Sequence, residues 1–159
     1  MNRLSKIVSK IQKLPQFMQR SALSYTLGNA VKFVGTAGVK FESISHQEVV
    51  TTLANKPKVQ NHIKQVHAVA TALLAETATG ILLGMNLPDG HIPLLKNMSI
   101  DYTKRSQGAQ RAIATLSPEA ISEIISEPKG DIIVPVTIVD SVGTEVVKVS
   151  MNWAWIPKK

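Results

Sequence analysis

Residues 66–85 read VHAVATALLAETATGILLGM, and Glu76 is the only formally charged side chain among them. Apolar and small residues cover every side of the helix this run would form. That is the pattern of a helix buried all round rather than of a surface helix. An ionised carboxylate there costs several kcal/mol unless it is hydrogen-bonded, paired or opened to a cleft. A buried carboxylate with a perturbed pKa is a catalytic candidate, as a base or as a nucleophile. The structural alternative is a Glu that reaches a subunit seam or a water pocket.

The elements that must hold this carboxylate follow from periodicity. Leu4, Ile7, Val8, Ile11 and Leu14 recur at helical spacing, with Arg3, Lys6, Lys10 and Lys13 opposite them. This is a basic amphipathic helix ending near Pro15. A second helix is expected over residues 21–31, and Gly35 and Gly38 break the chain. Residues 39–53 alternate and carry β-branched side chains, as one long strand would. A polar loop over residues 55–60 contains Pro57. The Glu76 helix then runs to a turn cluster at residues 87–90. Strands are expected over residues 94–103, 108–116, 131–140 and 144–156. Pro135 marks an edge or a bulge in the third of these. Between them Ser117 caps a short helix that opens with Pro118 and reaches about Ser126. The sum is an α+β domain in which a five- to six-stranded antiparallel sheet wraps one apolar helix. Its exposed edge strand invites pairing with a second copy. Residues 1–34 are read as an N-terminal helical extension and residues 35–159 as the domain proper.

Asn61-His62-Ile63-Lys64-Gln65-Val66-His67-Ala68, followed by Leu73-Leu74-Ala75-Glu76, resembles the hotdog-fold acyl-CoA thioesterases. The similarity is strongest to the phenylacetate-degradation type and related uncharacterised hotdog domains. Those proteins carry an Asn before the central helix, a His-Gly pair at its start, and an acidic residue about two turns in. Six residues separate Asn61 from His67 here, and nine separate His67 from Glu76. The run Ile100-Asp101-Tyr102-Thr103-Lys104-Arg105, with Gly108 beyond it, is similar to the family's second strand and the turn into its third. The resemblance covers residues 39–156. One departure is plain: Ala68 stands where the family has Gly, keeping the backbone N–H and adding a methyl group.

The resemblance implies hydrolysis of an acyl-CoA thioester, with coenzyme A as part of the substrate and no separate cofactor. It implies that the Ala68 N–H polarises the thioester carbonyl, that Asn61 orients carbonyl or water, and that Glu76 acts as base or nucleophile. Helix geometry separates Ala68 from Glu76 by roughly 12 Å along the axis. The family's answer is a site between subunits, so a homodimer or a dimer of dimers is expected. His67 is a further catalytic candidate or a first-turn residue bonded to backbone. Lys104 and Arg105 are candidates for the coenzyme A phosphates, and Leu73, Leu82, Leu83 and Met85 for the acyl group. Ser99 and Thr103 are possible helpers. His62 stands 14 residues before Glu76, the spacing of hotdog dehydratases, without the prolines and glycine those enzymes place between. A hotdog protein that binds acyl groups or scaffolds without turnover is the alternative of a different class.

Composition narrows the field. The chain has no Cys, so disulfide and thiolate chemistry are absent, and a reducing, cytoplasmic setting is expected. Its net charge is +7, of which +5 lies in residues 1–20. With 4% aromatic residues and the excess charge in one terminal segment, a nucleic-acid groove is not expected. The basic helix of residues 1–14 is expected to pack on the domain, with an anionic membrane surface as second reading. No His, Asp or Glu cluster has metal-ligand spacing.

Overall fold

A computed structural model describes residues 2–158. Three helices come first: α1 (Arg3–Ile11), α2 (Gln16–Ala30) and α3 (Lys32–Ala37). Strands β1 (Lys40–Ile44) and β2 (Glu48–Leu53) follow, then a 3-10 turn (Pro57–Val59) and the long helix α4 (Ala68–Asn86). The chain closes with β3 (His91–Tyr102), β4 (Gln110–Thr115), α5 (Pro118–Ser126), β5 (Gly130–Ile133), β6 (Val136–Asp140) and β7 (Val147–Pro157).

All strand pairs are antiparallel, in the orders β1-β2-β4-β6 and β3-β7-β5. The two groups are one surface, because β5 and β6 are halves of a single bent strand. Pro135 has no N–H and interrupts the ladder there. Val134 N–H donates to Met151 O on one side of the break, and Pro135 O accepts from Thr115 N–H on the other. The single strand expected over residues 131–140 is therefore two, serving different neighbours. The strand expected over residues 39–53 is likewise a hairpin. Ser45 Oγ accepts from the N–H groups of Gln47 and Glu48, a turn made without Gly or Pro.

The sheet curls around α4, which packs against β2, β3, β4, β6 and β7. Leu74, Ala75, Ala78, Leu82 and Leu83 on that helix are fully buried. This is the wrapped-helix architecture read from the sequence. Its two ends are tied by side chains. His67 caps the start, its Nδ1 accepting from Val69 N–H at 3.1 Å. Asn2 Nδ2 donates to Gly84 O and Leu87 O, each at 2.7 Å, and so satisfies carbonyls that the helix end leaves unpaired.

The basic helix α1 thus packs on the domain. Val8 is 1% exposed, and Leu23, Leu27 and Val34 from α2 and α3 belong to the same buried cluster as the sheet. α2 starts five residues earlier than expected, directly after Pro15, with no side-chain cap to announce it. The helical segment ends at Gly38, whose φ of 82° closes α3 in the left-handed region.

Candidate active site

The start of α4 opens into a cleft of about 410 Å³. Asn61, Ala68, Lys104 and Arg105 all line it, although the last two lie more than thirty residues downstream. The local folding that brings them together is specific. Asn61 Oδ1 accepts from Ile63 N–H and Gln65 N–H, both at 3.0 Å, and this clamps a tight turn with Lys64 at φ 60°. The amide nitrogen of Asn61 remains for the cleft. His67 has extended backbone, φ −63° and ψ 143°, and hands the chain into α4 at Ala68. As first residue of the helix, Ala68 has an N–H with no intrahelical partner, at the positive end of the helix dipole.

The far wall is the end of β3. Tyr102 Oη donates to Ala68 O at 2.6 Å, and burial raises the pKa of this phenol. Thr103, one of the two helper candidates, lines the cleft, whereas Ser99 sits in mid-β3 opposite Ser150. Lys104 and Arg105 are exposed at the rim, and neither forms an ion pair among the described residues. Two free cations beside a helix start make a place for an anion such as a phosphate.

Beneath the cleft lies a polar chain that the sequence reading missed. Thr71 Oγ1 donates to Gln110 Oε1 at 2.8 Å, and Gln110 Nε2 donates to Ser106 Oγ at 3.0 Å. All three residues are buried. The available signal was Gln110 itself, a polar residue at an inward position of a strand whose other inward residues are Ala112 and Ala114.

Glu76 does not share this cleft. It lies half-buried on a separate apolar cavity of about 230 Å³, with Leu27, Val34, Phe41 and Trp153 in the walls. Burial pushes its carboxyl above the ordinary value. The adjacent Thr77 hydroxyl is buried and has no hydrogen-bond partner among the described residues. His67 and Leu73 line a third cavity, of about 240 Å³, with Phe33 of α3. Leu82, Leu83 and Met85, candidates for the acyl group in the sequence reading, are at most 4% exposed and are core. His62 is exposed in the turn after Asn61. One chain therefore carries a polar cleft at the helix start and a carboxylate on an apolar cavity near mid-helix, about 12 Å apart along the axis.

Residues 19–156 match the family described as a domain of unknown function, DUF4442. No curated protein sequence matches the chain. Among solved structures, a Pseudomonas aeruginosa protein of unknown function, PA5026, described as a probable thioesterase, is 21% identical with a TM-score of 0.76. That match covers 91% of this chain and 97% of the other. The Haemophilus influenzae thioesterase HI1161 is 13% identical with a TM-score of 0.70, over 86% of this chain and 90% of that one. The Bacillus halodurans protein BH2602, solved with CoA, is 25% identical with a TM-score of 0.57, over 67% of this chain and 66% of that one. The sheet wrapped around α4 is the hotdog fold of these neighbours, and the chain belongs to the DUF4442 family.

Proposed function

We propose that this protein is an acyl-CoA thioester hydrolase whose site is completed across a homodimer. The observation that carries the reading is where the two ends of β3 lie. Its Tyr102 end is bonded to Ala68 at the helix start, and its Pro93 end lines the cavity of Glu76. β3 is also a sheet edge of 12 residues, with Leu94, Met98 and Tyr102 exposed along it. An unpaired edge of that length is a template for a second strand, and two-fold symmetry makes that strand its own copy. Antiparallel pairing of two β3 strands sets the Tyr102 end of one protomer beside the Pro93 end of the other. The helix start of one subunit then faces the partner subunit's Glu76.

The chemistry follows from the groups so joined. The thioester carbonyl oxygen accepts from Ala68 N–H, where the helix dipole stabilises the developing oxyanion. Asn61 supplies a second donor from its amide nitrogen. Lys104 and Arg105 attract the phosphates of coenzyme A. The partner subunit's Glu76, a stronger base for being buried, takes a proton from water as the water attacks, or attacks the carbonyl itself. On the first route the carbon–sulfur bond breaks and the sulfur leaves with the proton that Glu76 took. On the second the thiolate leaves, and water then hydrolyses the mixed anhydride on Glu76 and restores the carboxylate. Both routes end in a carboxylic acid and the thiol of coenzyme A. The thioesterase names of neighbours and the CoA in the Bacillus halodurans structure support the substrate class. His67, bonded to Val69 N–H, serves as the helix cap in this account.

The test is release of free thiol from a panel of acyl-CoA thioesters. Turnover that falls about 100-fold or more in Glu76→Ala supports the reading. Binding of acyl-CoA with no turnover by the wild-type protein replaces it with a carrier or scaffold.

A further inference from the structure

One side of the cavity beside Glu76 is built by elements that precede the sheet. Leu27 lies near the end of α2, Val31 is the break between α2 and α3, and Val34 lies in α3. Val31 has extended backbone, φ −110° and ψ 95°, so the helix bends there. The residue is 45% exposed at the mouth, while Leu27 and Val34 are buried behind it. The opposite wall is the ring of Trp153, whose Nε1 donates to Thr79 Oγ1 at 2.9 Å. Gly80 lets the edge of that ring approach α4 closely, since a Cβ there would stand 2.6 Å from the indole Cη2. The bend is equally fixed. Gly28 and Gly35 meet backbone to backbone, with no room for a side chain at Gly35. Both walls are closely packed, and a pre-formed cavity limits its occupant by size.

From this geometry we infer that the cavity beside Glu76, closed on one side by α2 and α3, is the acyl-binding pocket of the protein, and that it takes an unbranched or cyclic apolar acyl group of about six to eight carbons. The inference rests on the thioester reading above for the nature of the ligand's head. The size comes from the cavity: about 150 Å³ of apolar void holds one benzene ring, and this cavity is about 230 Å³. The chemistry comes from the lining, which is aliphatic and aromatic apart from Glu76 and Thr77. Glu76 stands on the same wall as the acyl group, so a carbonyl at the head of that group reaches the carboxylate while the chain fills the cavity. The cavity of similar size beside His67 and Leu73 carries no carboxylate and no residue of β3, and does not meet the partner's helix start in the pairing proposed.

The test varies the mouth residue, which is exposed enough to change without emptying the core. kcat/KM is measured for straight-chain acyl-CoA thioesters from two to twelve carbons with wild type, Val31→Phe and Val31→Ala. Binding of the matching non-hydrolysable thioether analogues is measured in parallel by calorimetry. In the wild type each methylene should tighten binding about fourfold until the pocket is full near eight carbons, then add little. Val31→Phe should move that break to about four carbons and cut kcat/KM for the octanoyl substrate about tenfold or more relative to the acetyl substrate. Val31→Ala should move the break to longer chains. Turnover with the same chain-length profile in all three proteins overturns the pocket and leaves the hydrolase standing. No turnover, with a binding break that still moves with residue 31, overturns the hydrolase and keeps the pocket. Binding that is independent of chain length overturns the pocket whether or not turnover is seen.

Discussion

The Tyr102 hydroxyl donates a 2.6 Å hydrogen bond to the Ala68 carbonyl, fastening the last residue of β3 to the first residue of α4. The edge strand and the helix start are thereby one unit, and what positions one positions the other. The free donor of that unit is the Ala68 N–H, which Ala68→Pro removes with little else. Proline is well tolerated at the first helical position, and the extended backbone of His67 suits a residue before proline. Ala68→Pro should melt within a few degrees of wild type and lose about 100-fold in kcat, the scale of one oxyanion donor. Ala68→Gly, which keeps the N–H, should retain turnover. Equal kcat in Ala68→Pro and wild type would show that the helix start does not touch the carbonyl.

Gly80 and Trp153 make a second prediction. An exposed helical Gly→Ala change ordinarily stabilises by about 1 kcal/mol. Here the new methyl would stand 2.6 Å from an indole held by its bond to Thr79. Overpacking of that kind costs about 1–3 kcal/mol, so the clash outweighs the propensity gain. Gly80→Ala should unfold at lower denaturant concentration than wild type. A higher midpoint would mean that the indole moves freely and that the cavity wall is not fixed.

Glu76 should leave a mark on stability as well as on rate. Burial raises the pKa of its carboxyl in the folded protein, so the folded state holds that proton more tightly than the unfolded chain. Below the ordinary carboxylate pKa both states are protonated and no stability is lost. As pH rises past that value the unfolded chain ionises first, and stability falls until the folded carboxyl also ionises at its raised pKa. Glu76→Gln removes this titration. The variant should therefore gain stability relative to wild type as pH rises from acid to neutral, measured as the difference between their denaturant unfolding curves. A difference that does not change with pH would mean that the carboxyl is solvated. kcat/KM of the wild type should rise over the same interval as the base ionises.

The helix α4 and its carboxylate were legible because one charge in an apolar run stands out without any knowledge of neighbours. Ser117 and Pro118 marked α5 for the same local reason, and its Oγ accepts from Ala120 N–H as read. The β1–β2 turn was hidden because a Ser hydroxyl makes it, with no Gly or Pro. Pro135 was seen, but nothing local tells a bulge from a strand shared between two neighbours. Asn61, Ala68, Lys104 and Arg105 were picked out by resemblance, and the fold brings them to one cleft. The Thr71–Gln110–Ser106 chain was missed because its first bond spans 39 residues, a contact that only the folded sheet creates. The role of Val31 was missed for a related reason. A β-branched residue at the end of a helical pattern reads as an end, and the cavity it lines exists only once α3 folds back beside α4.

The claim that one protomer's helix start works with the other's carboxylate is tested most directly by mixing two inactive proteins. Glu76→Ala and Ala68→Pro are each expected to be inactive alone. A mixed dimer has one site with Glu76 and Ala68 both intact, contributed by different subunits, and one site with neither. With random pairing, half the dimers are mixed, so co-expressed protein should recover about one quarter of wild-type kcat. Recovery at that level is the predicted result; a mixture no more active than its two components would contradict a site shared between subunits.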